Sequence, residues 1–265
     1  MYEFNYQRPD SLDAAAKALA ANEDAKLLAG GQTMLPTMKQ RLAMPSDLID
    51  LSGISELKGV SEAGGAVVIG AMTTHAEVAA NDLVRSKIPA LAKLADGIGD
   101  PQVRNRGTIG GSIANADPAA DYPAAIVGLG ATVKTSKREI AGDDFFVGLF
   151  ETALEPDELV VSVSFPVPEA AAYAKFDHPA SRYAIVGVMV AKTGGGVRVG
   201  VTGAGPNAFR QTEMEQALAG NFAPEALDGI AVSADGLNGD IHASAEYRAH
   251  LVGVMAKRAV AAAKG

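Results

Sequence analysis

The sequence predicts an α+β chain in three parts, spanning residues 1–55, 56–168 and 169–265. Three observations point there. Residues 1–55 read as β-α-β-α-β, with short apolar runs alternating with helical stretches. Two glycine doublets, in Ala29-Gly-Gly-Gln-Thr33 and Thr108-Ile-Gly-Gly-Ser112, each stand where a helix can begin. After Pro166 and Pro168 the composition shifts, first to strand-like runs and then to helical ones.

Taken in order, Tyr2–Tyr6 alternates as a strand does, and Ser11 is placed to cap a helix through Ala14–Ala21. Lys26–Ala29 is a short apolar strand entering the first doublet. Thr33–Gln40 reads as a helix and Asp47–Leu51 as a strand. Gly64-Gly65 marks a turn before Val67–Gly70. Helices are expected at Thr74–Asn81 and Ala90–Ile98, and a turn over the polar stretch Asp100–Gly107. Ala120–Gly130 is apolar enough for a buried helix. Ala131–Thr135, Arg138–Ile140 and Leu159–Phe165 look like strands. Ala172–Phe176, Ala184–Lys192 and Val197–Thr202 predict a three-stranded meander, with Gly194-Gly195-Gly196 as its tight turn. Glu213–Leu218, Pro224–Ala234 and Ala245–Ala263 read as helices.

Composition narrows the function classes. The 265 residues are 48% hydrophobic, ample for a buried core, but hold no Trp, so aliphatic side chains must fill the interior. With 23 Lys+Arg against 31 Asp+Glu, the net charge of −8 argues against nucleic acid or anionic lipid as main partner. No apolar run approaches the roughly 20 residues of a membrane span, and Met1-Tyr-Glu-Phe reads as no leader, so a cytoplasmic chain is expected. Cysteine is absent, which excludes disulfides, thiol nucleophiles and Cys-ligated iron–sulfur clusters on this chain. The four histidines, His75, His178, His242 and His250, show no metal-binding spacing, and no metal site is expected.

The doublets carry most of the chemistry. Paired glycines let the backbone turn sharply and approach a ligand, and successive free N–H groups at a helix start form a nest for anionic oxygens. Two nests on separate parts of one chain suggest a diphosphate held from both sides. A side chain at Gly110 or Gly111 is expected to block that approach and leave the fold largely intact. The second segment continues to Asp121, adding hydroxyls at Thr108 and Ser112 and carboxylates at Asp117 and Asp121. A carboxylate can accept from sugar or ribityl hydroxyls. The competing reading makes Asp121 a plain N-cap, and spacing alone does not decide between them. Gly203-Ala-Gly-Pro-Asn-Ala208 fits a dinucleotide fingerprint. It lies late in the chain, however, no β-α-β unit follows, and Pro206 removes an amide that phosphate would need. His75 reads as part of a helix start, His178 as structural, and Arg104 and Arg106 as solvated or salt-bridged. No Ser-His-Asp set or catalytic carboxylate pair stands out, so no catalytic side chain is assigned and any chemistry falls to a bound cofactor.

Four segments together resemble a known family: Leu28–Pro36, Ile69–Thr74, Val103–Asp121, and Val201–Gly205 with Arg210. In that order they are similar to the FAD-binding medium subunits of molybdenum hydroxylases. This group includes the medium subunit of aerobic carbon monoxide dehydrogenase and the flavin subunit of xanthine dehydrogenases. The resemblance implies a two-subdomain FAD-binding fold of the vanillyl-alcohol-oxidase/PCMH type, followed by a three-stranded sheet with a helical bundle. It implies that Leu28, Ala29, Gly30, Gly31, Gln32 and Thr33, with Thr108, Ile109, Gly110, Gly111 and Ser112, hold the FAD diphosphate and nearby sugar. By position, Asp121 meets the ribityl or flavin side, Val160 supplies an apolar contact, Lys175 lies close to the flavin, and Tyr183 neighbours the isoalloxazine.

The resemblance also implies partners: a large subunit carrying molybdopterin and a small subunit carrying 2Fe-2S clusters, in a heterohexamer of two heterotrimers. This chain would accept electrons on FAD and pass them to an external acceptor, in a cytoplasmic complex able to sit at the inner face of the membrane. Two other readings stay open: an assembly subunit that keeps the fold without redox work, and a nicotinamide-dependent dehydrogenase built on Gly203–Ala208. Helix termini give only about 0.3–2 kcal/mol each, whereas sub-micromolar affinity needs more than about 8 kcal/mol. Ring burial and further hydrogen bonds must supply the rest.

Overall fold

The computed structural model describes residues 1–263, so the expected third part, 169–265, is seen without its last two positions. The N-terminal portion holds β1 (Asn5–Gln7), α1 (Leu12–Ala20), β2 (Lys26–Leu28), α2 (Met34–Lys39) and β3 (Asp47–Asp50). The three strands form a parallel sheet in the order β1-β3-β2. Central β3 is buried on both faces, as a strand flanked by helical crossovers must be. Ser11 caps α1 by accepting from the Ala14 N–H. Ala15 and Leu19 of α1 pack with Ile49 and Leu51 into the first core.

The middle portion contains β4 (Val60–Ala63), β5 (Ala66–Gly70), α3 (His75–Ala80), α4 (Asp82–Lys87), α5 (Pro89–Asp96), α6 (Pro101–Arg104), α7 (Ile109–Asn115) and α8 (Tyr122–Gly128). There follow β6 (Thr132–Thr135), β7 (Glu139–Ala141), α9 (Gly142–Phe145), β8 (Phe146–Gly148), β9 (Glu151–Thr152) and β10 (Val160–Pro166). A five-stranded antiparallel sheet runs in the order β4-β5-β10-β6-β7, and β8 pairs with β9. Several helix starts are written in capping chemistry. Thr74 and Glu77 form a capping box for α3, and Asn81 caps α4. The expected turn over Asp100–Gly107 holds one helical turn instead, because Asp100 caps the Val103 N–H and Pro101 suits the first helical position.

The C-terminal portion comprises β11 (Ala170–Asp177), β12 (Ala184–Thr193), β13 (Gly196–Thr202), β14 (Phe209–Arg210), α10 (Thr212–Gly220) and α11 (Ala245–Ala263). The expected meander is present, and β14 adds a fourth short strand beside β13. The helix expected over Pro224–Ala234 is not formed. Pro224–Leu227 is a single 3-10 turn, and Gly229 then adopts φ +82°, a left-handed conformation that ends any helix.

Strand β12 joins the middle and C-terminal portions. Its residues 184–191 are buried without a break. Met189 and Ala191 enter the middle core, whereas Val186, Val188 and Val190 enter the core against α11. That alternation is the two-residue period of a strand whose two faces are both covered.

Candidate functional site

A cavity of about 790 Å³ opens where the three portions meet, within the roughly 300–1,000 Å³ typical of ligand sites. Ala29, Gly30, Gly31, Gln32 and Thr33 line it from the first portion. Thr108, Gly110, Gly111, Ser112, Asp121 and Val160 line it from the middle, and Tyr183 from the loop before β12.

The two doublet loops touch. A Cβ built on Gly30 would fall 1.9 Å from the Arg106 carbonyl oxygen and 2.9 Å from Gly107 Cα. A Cβ on Gly111 would sit 3.3 Å from Ala29 Cβ. Gly31 has φ +75°, which turns the chain from β2 into α2. Gly30, Gly31, Gln32 and Thr33 donate their N–H groups to no acceptor among the described residues. Thr33, at the start of α2, makes no side-chain cap. These amides border the cavity and are left for a ligand.

The second doublet works differently from the expected amide nest. Ile109 N–H donates to Thr73 O at 3.1 Å and Gly110 N–H to Ala71 O at 2.9 Å. Gly111 N–H donates to Thr108 Oγ1 at 3.1 Å. Thr108 caps its own helix and thereby consumes the amide that a ligand would use. What this side offers the cavity is hydroxyl chemistry: Thr108 keeps its O–H to donate while accepting from Gly111, and Ser112 adds a second hydroxyl. Gly110 is a packing residue, since a Cβ there would meet Ala71 Cβ at 2.5 Å and Ala71 O at 2.7 Å. A side chain at Gly110 would therefore push α7 off the sheet, contrary to the expectation of an intact fold.

At the far wall, Asp121 precedes α8 but makes no capping bond. Its carboxylate faces inward and receives the Tyr173 hydroxyl at 2.6 Å. Lys175 Nζ lies 3.0 Å from Asp121 Oδ1. Burial pushes the Asp121 carboxyl above its ordinary range, against the pull of Lys175 and Tyr173. Lys175 also donates to Gly97 O at 3.0 Å and to Arg182 O at 2.7 Å. It therefore stands behind Asp121, outside the cavity lining. Leu28 and Ile109 are likewise outside it: Leu28 supports the Gly31 turn from strand β2, and Ile109 is fully buried in the middle core.

The segment 117–121 is held by the C-terminal sheet. Ala184 N–H donates to Ala119 O at 3.0 Å and Gly203 N–H to Pro118 O at 2.7 Å. Thr202 Oγ1 donates to Ala120 O at 2.6 Å. This is the role of the fingerprint-like Gly203–Ala208 segment. Its first residue, Gly203, helps hold the aspartate loop, none of its residues lines the cavity, and β14 rather than a long helix follows it.

Sequence reasoning passed over several wall residues. His75, expected only to shape a helix start, lines the cavity as a buried side chain. Burial, reinforced by the Arg104 charge, lowers its imidazole to about 4, so the ring is neutral. Its Nδ1 and the hydroxyl of neighbouring Tyr122 have no partner among the described residues. Leu19, Ala25, Leu51 and Met72 give the cavity an apolar wall beside Val160. Among the described residues no cluster of three or more acidic or histidine side chains is arranged for a metal ion.

This arrangement has counterparts among known proteins. Residues 2–168 match the family model of the FAD binding domain in molybdopterin dehydrogenase, and residues 171–263 match the CO dehydrogenase flavoprotein C-terminal domain. The carbon monoxide dehydrogenase medium chain of Hydrogenophaga pseudoflava is 38% identical over 277 residues, covering 98% of this chain and 96% of its own. The nicotine 6-hydroxylase medium subunit of Paenarthrobacter nicotinovorans is 35% identical, covering 96% of this chain and 95% of its own. A chain of reconstituted CO dehydrogenase from Oligotropha carboxidovorans superposes with a TM-score of 0.93 at 37% identity, covering 99% and 98% of the two chains. With these likenesses over nearly the whole chain, it belongs to the FAD-binding subunits of molybdopterin dehydrogenases.

Proposed function

We propose that this chain is the electron-relay subunit of a molybdenum hydroxylase. In this reading it takes electrons from 2Fe-2S clusters of a small partner subunit and passes them to an external acceptor, while a molybdopterin-bearing large subunit oxidises the substrate. The observation that carries the reading is the row of four unpaired amides at Gly30–Thr33, set against the hydroxyls of Thr108 and Ser112 across one cavity. Hydrogen-bond donors on two sides of a gap suit a diphosphate, and a chain with net charge −8 has few cations to spare for that task. Bound FAD supplies a redox centre that handles one or two electrons.

The chain's own residues do the rest. The apolar wall of Leu19, Leu51, Met72 and Val160 buries a flat ring and excludes water. Asp121, fixed by Tyr173 and Lys175, accepts from hydroxyls or ring N–H groups. Tyr183, 47% exposed at the cavity edge, flanks the isoalloxazine and limits access to it. The absence of cysteine supports delivery from clusters on another chain, in an assembly of two heterotrimers. The medium-subunit relatives support the partner arrangement.

The purified complex should show a flavin spectrum, release FAD on denaturation, and reduce that flavin rapidly when the large subunit is given its substrate. A complex that releases no FAD on denaturation overturns the reading. A flavin that is bound but never reduced by the partners favours an assembly role.

A further inference from the structure

We propose that His178 is a positioning residue that sets the place of Tyr183 at the cavity edge. This rests on the reading of the cavity as an FAD site with Tyr183 beside the flavin ring. Between β11 and β12 the chain makes a tight loop whose last residues, Ser181, Arg182 and Tyr183, line the cavity. His178 closes that loop with three of its groups. Its N–H donates to Tyr183 O at 2.8 Å, and its carbonyl accepts from Arg182 N–H at 2.8 Å. Its ring Nδ1 accepts from the N–H groups of both Ala180 and Ser181, each at 3.2 Å.

Tyr183 and Arg182 both lie outside the packed cores. Both are exposed, and Arg182 sits at φ +61°, a left-handed conformation that a side chain adopts only when its surroundings impose it. Lys175 secures one carbonyl of the loop and Ser181 Oγ one amide, that of Tyr183. The His178 ring is therefore the group that organises the loop's interior amides.

The ring is itself braced. It meets His242 edge to face, with centroids 4.6 Å apart. Asp240 Oδ1 accepts from the His242 N–H at 2.8 Å, and Asp240 Oδ2 receives buried Arg248 at 2.7 Å. Arg248 also donates to Ile185 O and Gly203 O, so the brace is tied to the sheet that carries Tyr183 into β12. A loop of the C-terminal portion thus braces the ring that organises the turn carrying Tyr183 to the cavity edge.

The test compares the wild-type chain with His178→Phe, which keeps the edge contact with His242 but accepts no hydrogen bond, and with His178→Asn, whose side-chain oxygen restores an acceptor two and three residues ahead of itself. An aromatic ring held against a flavin quenches its emission. The expected result is a several-fold rise in bound-flavin fluorescence for H178F, wild-type emission for H178N, and no further rise when H178F is added to Tyr183→Ala. In the FAD-free chain, amide exchange at Ala180 and Ser181 should quicken at least tenfold in H178F and not in H178N. If H178F does not fold, the smaller His178→Leu carries the same expectations. A flavin-loaded, folded H178F that matches wild type in emission and exchange overturns the positioning role alone, as does an H178N that behaves like H178F. A wild-type chain that takes up no flavin overturns the cofactor reading and this inference with it.

Discussion

Lys175 Nζ stands 3.0 Å from Asp121 Oδ1, and the same ammonium reaches the carbonyls of Gly97 and Arg182. One cation therefore joins the end of α5, the cavity aspartate and the loop that carries Tyr183. The arrangement explains why Lys175 sits near the cavity without lining it. Its donors are directed to protein groups, and its effect on a ligand passes through Asp121.

Lys175→Met should lower unfolding stability by about 2–3 kcal/mol. Breaking a buried pair from one side costs roughly 3–5 kcal/mol when the remaining charge is stranded. Asp121, whose carboxyl is already pushed up by burial, relieves part of that by taking a proton, and Tyr173 still donates to it. Asp121→Asn combined with Lys175→Met should recover at least half of the loss. Denaturant unfolding of the two single variants and the double variant checks this, since a strictly additive cycle would mean that the pair is not coupled.

The glycines of the two loops should respond unequally to alanine. Gly30→Ala forces a methyl onto the Arg106 carbonyl at a place where only backbone could move. Overpacking of that kind costs about 1–3 kcal/mol, and the upper end is expected. Gly111→Ala meets Thr108 Oγ1 at 3.0 Å and Ala29 Cβ at 3.3 Å, a contact that needs only a small shift. It also gains helix propensity worth up to about 1 kcal/mol, so its net effect should be near zero. Thermal melts should place G30A several degrees below G111A, and equal midpoints would contradict the close approach of the loops.

Acid should destabilise the fold in two steps. The His75 ring is held near 4 by burial and the Arg104 charge, below the 6.5 of an exposed imidazole. The unfolded chain therefore binds a proton that the folded chain resists, and stability falls as pH drops from 6.5 to 4, by about 3 kcal/mol in all. Burial disfavours the Glu158 carboxylate, but donors from Arg138, Thr135 and the Glu155 N–H outweigh it and bring the carboxyl down to about 2. That contribution is present above pH 4.5 and is lost as pH falls towards 2. Because Arg138 is half exposed, it is worth on the order of 2 kcal/mol. His75→Phe should flatten the first step and leave the second, which pH-dependent denaturation would reveal.

Much of this frame is legible in the sequence where the signal is local. The Ser11 cap, the Gly194–Gly196 turn and α11 over Ala245–Ala263 follow from nearby residues alone. Signals that depend on distant partners were not legible. Asp121 reads equally as cap or ligand until Tyr173 and Lys175, more than 50 residues away, supply its donors. The second doublet looks like an open nest because nothing local reveals that Ala71 and Thr73 accept its amides. His75 is a plain helix start in sequence, and only the packing of Tyr122 and Gly107 around it makes it a buried cavity wall. The helix expected over Pro224–Ala234 fails for a local reason that its apolar residues mask, the left-handed Gly229.

Thr108 separates capping from ligand binding. Its Oγ1 accepts the Gly111 N–H, so Thr108→Ala removes an N-cap and should cost about 1 kcal/mol of stability. The same change removes a cavity-lining hydroxyl; under the proposed FAD binding, losing its hydrogen bond to a diphosphate or sugar oxygen costs about 0.5–1.5 kcal/mol, roughly a two- to thirteen-fold weaker hold on FAD. Thr108→Ser keeps both functions and should stay within twofold of wild type. Ser112→Ala removes only the second hydroxyl, because its side chain makes no capping bond, so it should weaken FAD with little change in melting temperature. Fluorescence titration of the FAD-free chain with FAD, alongside thermal melts, reads the two quantities separately. If T108A lost stability but bound FAD as well as wild type, the threonine would serve the helix alone, and the burden of the diphosphate would fall entirely on the amides of Gly30–Thr33.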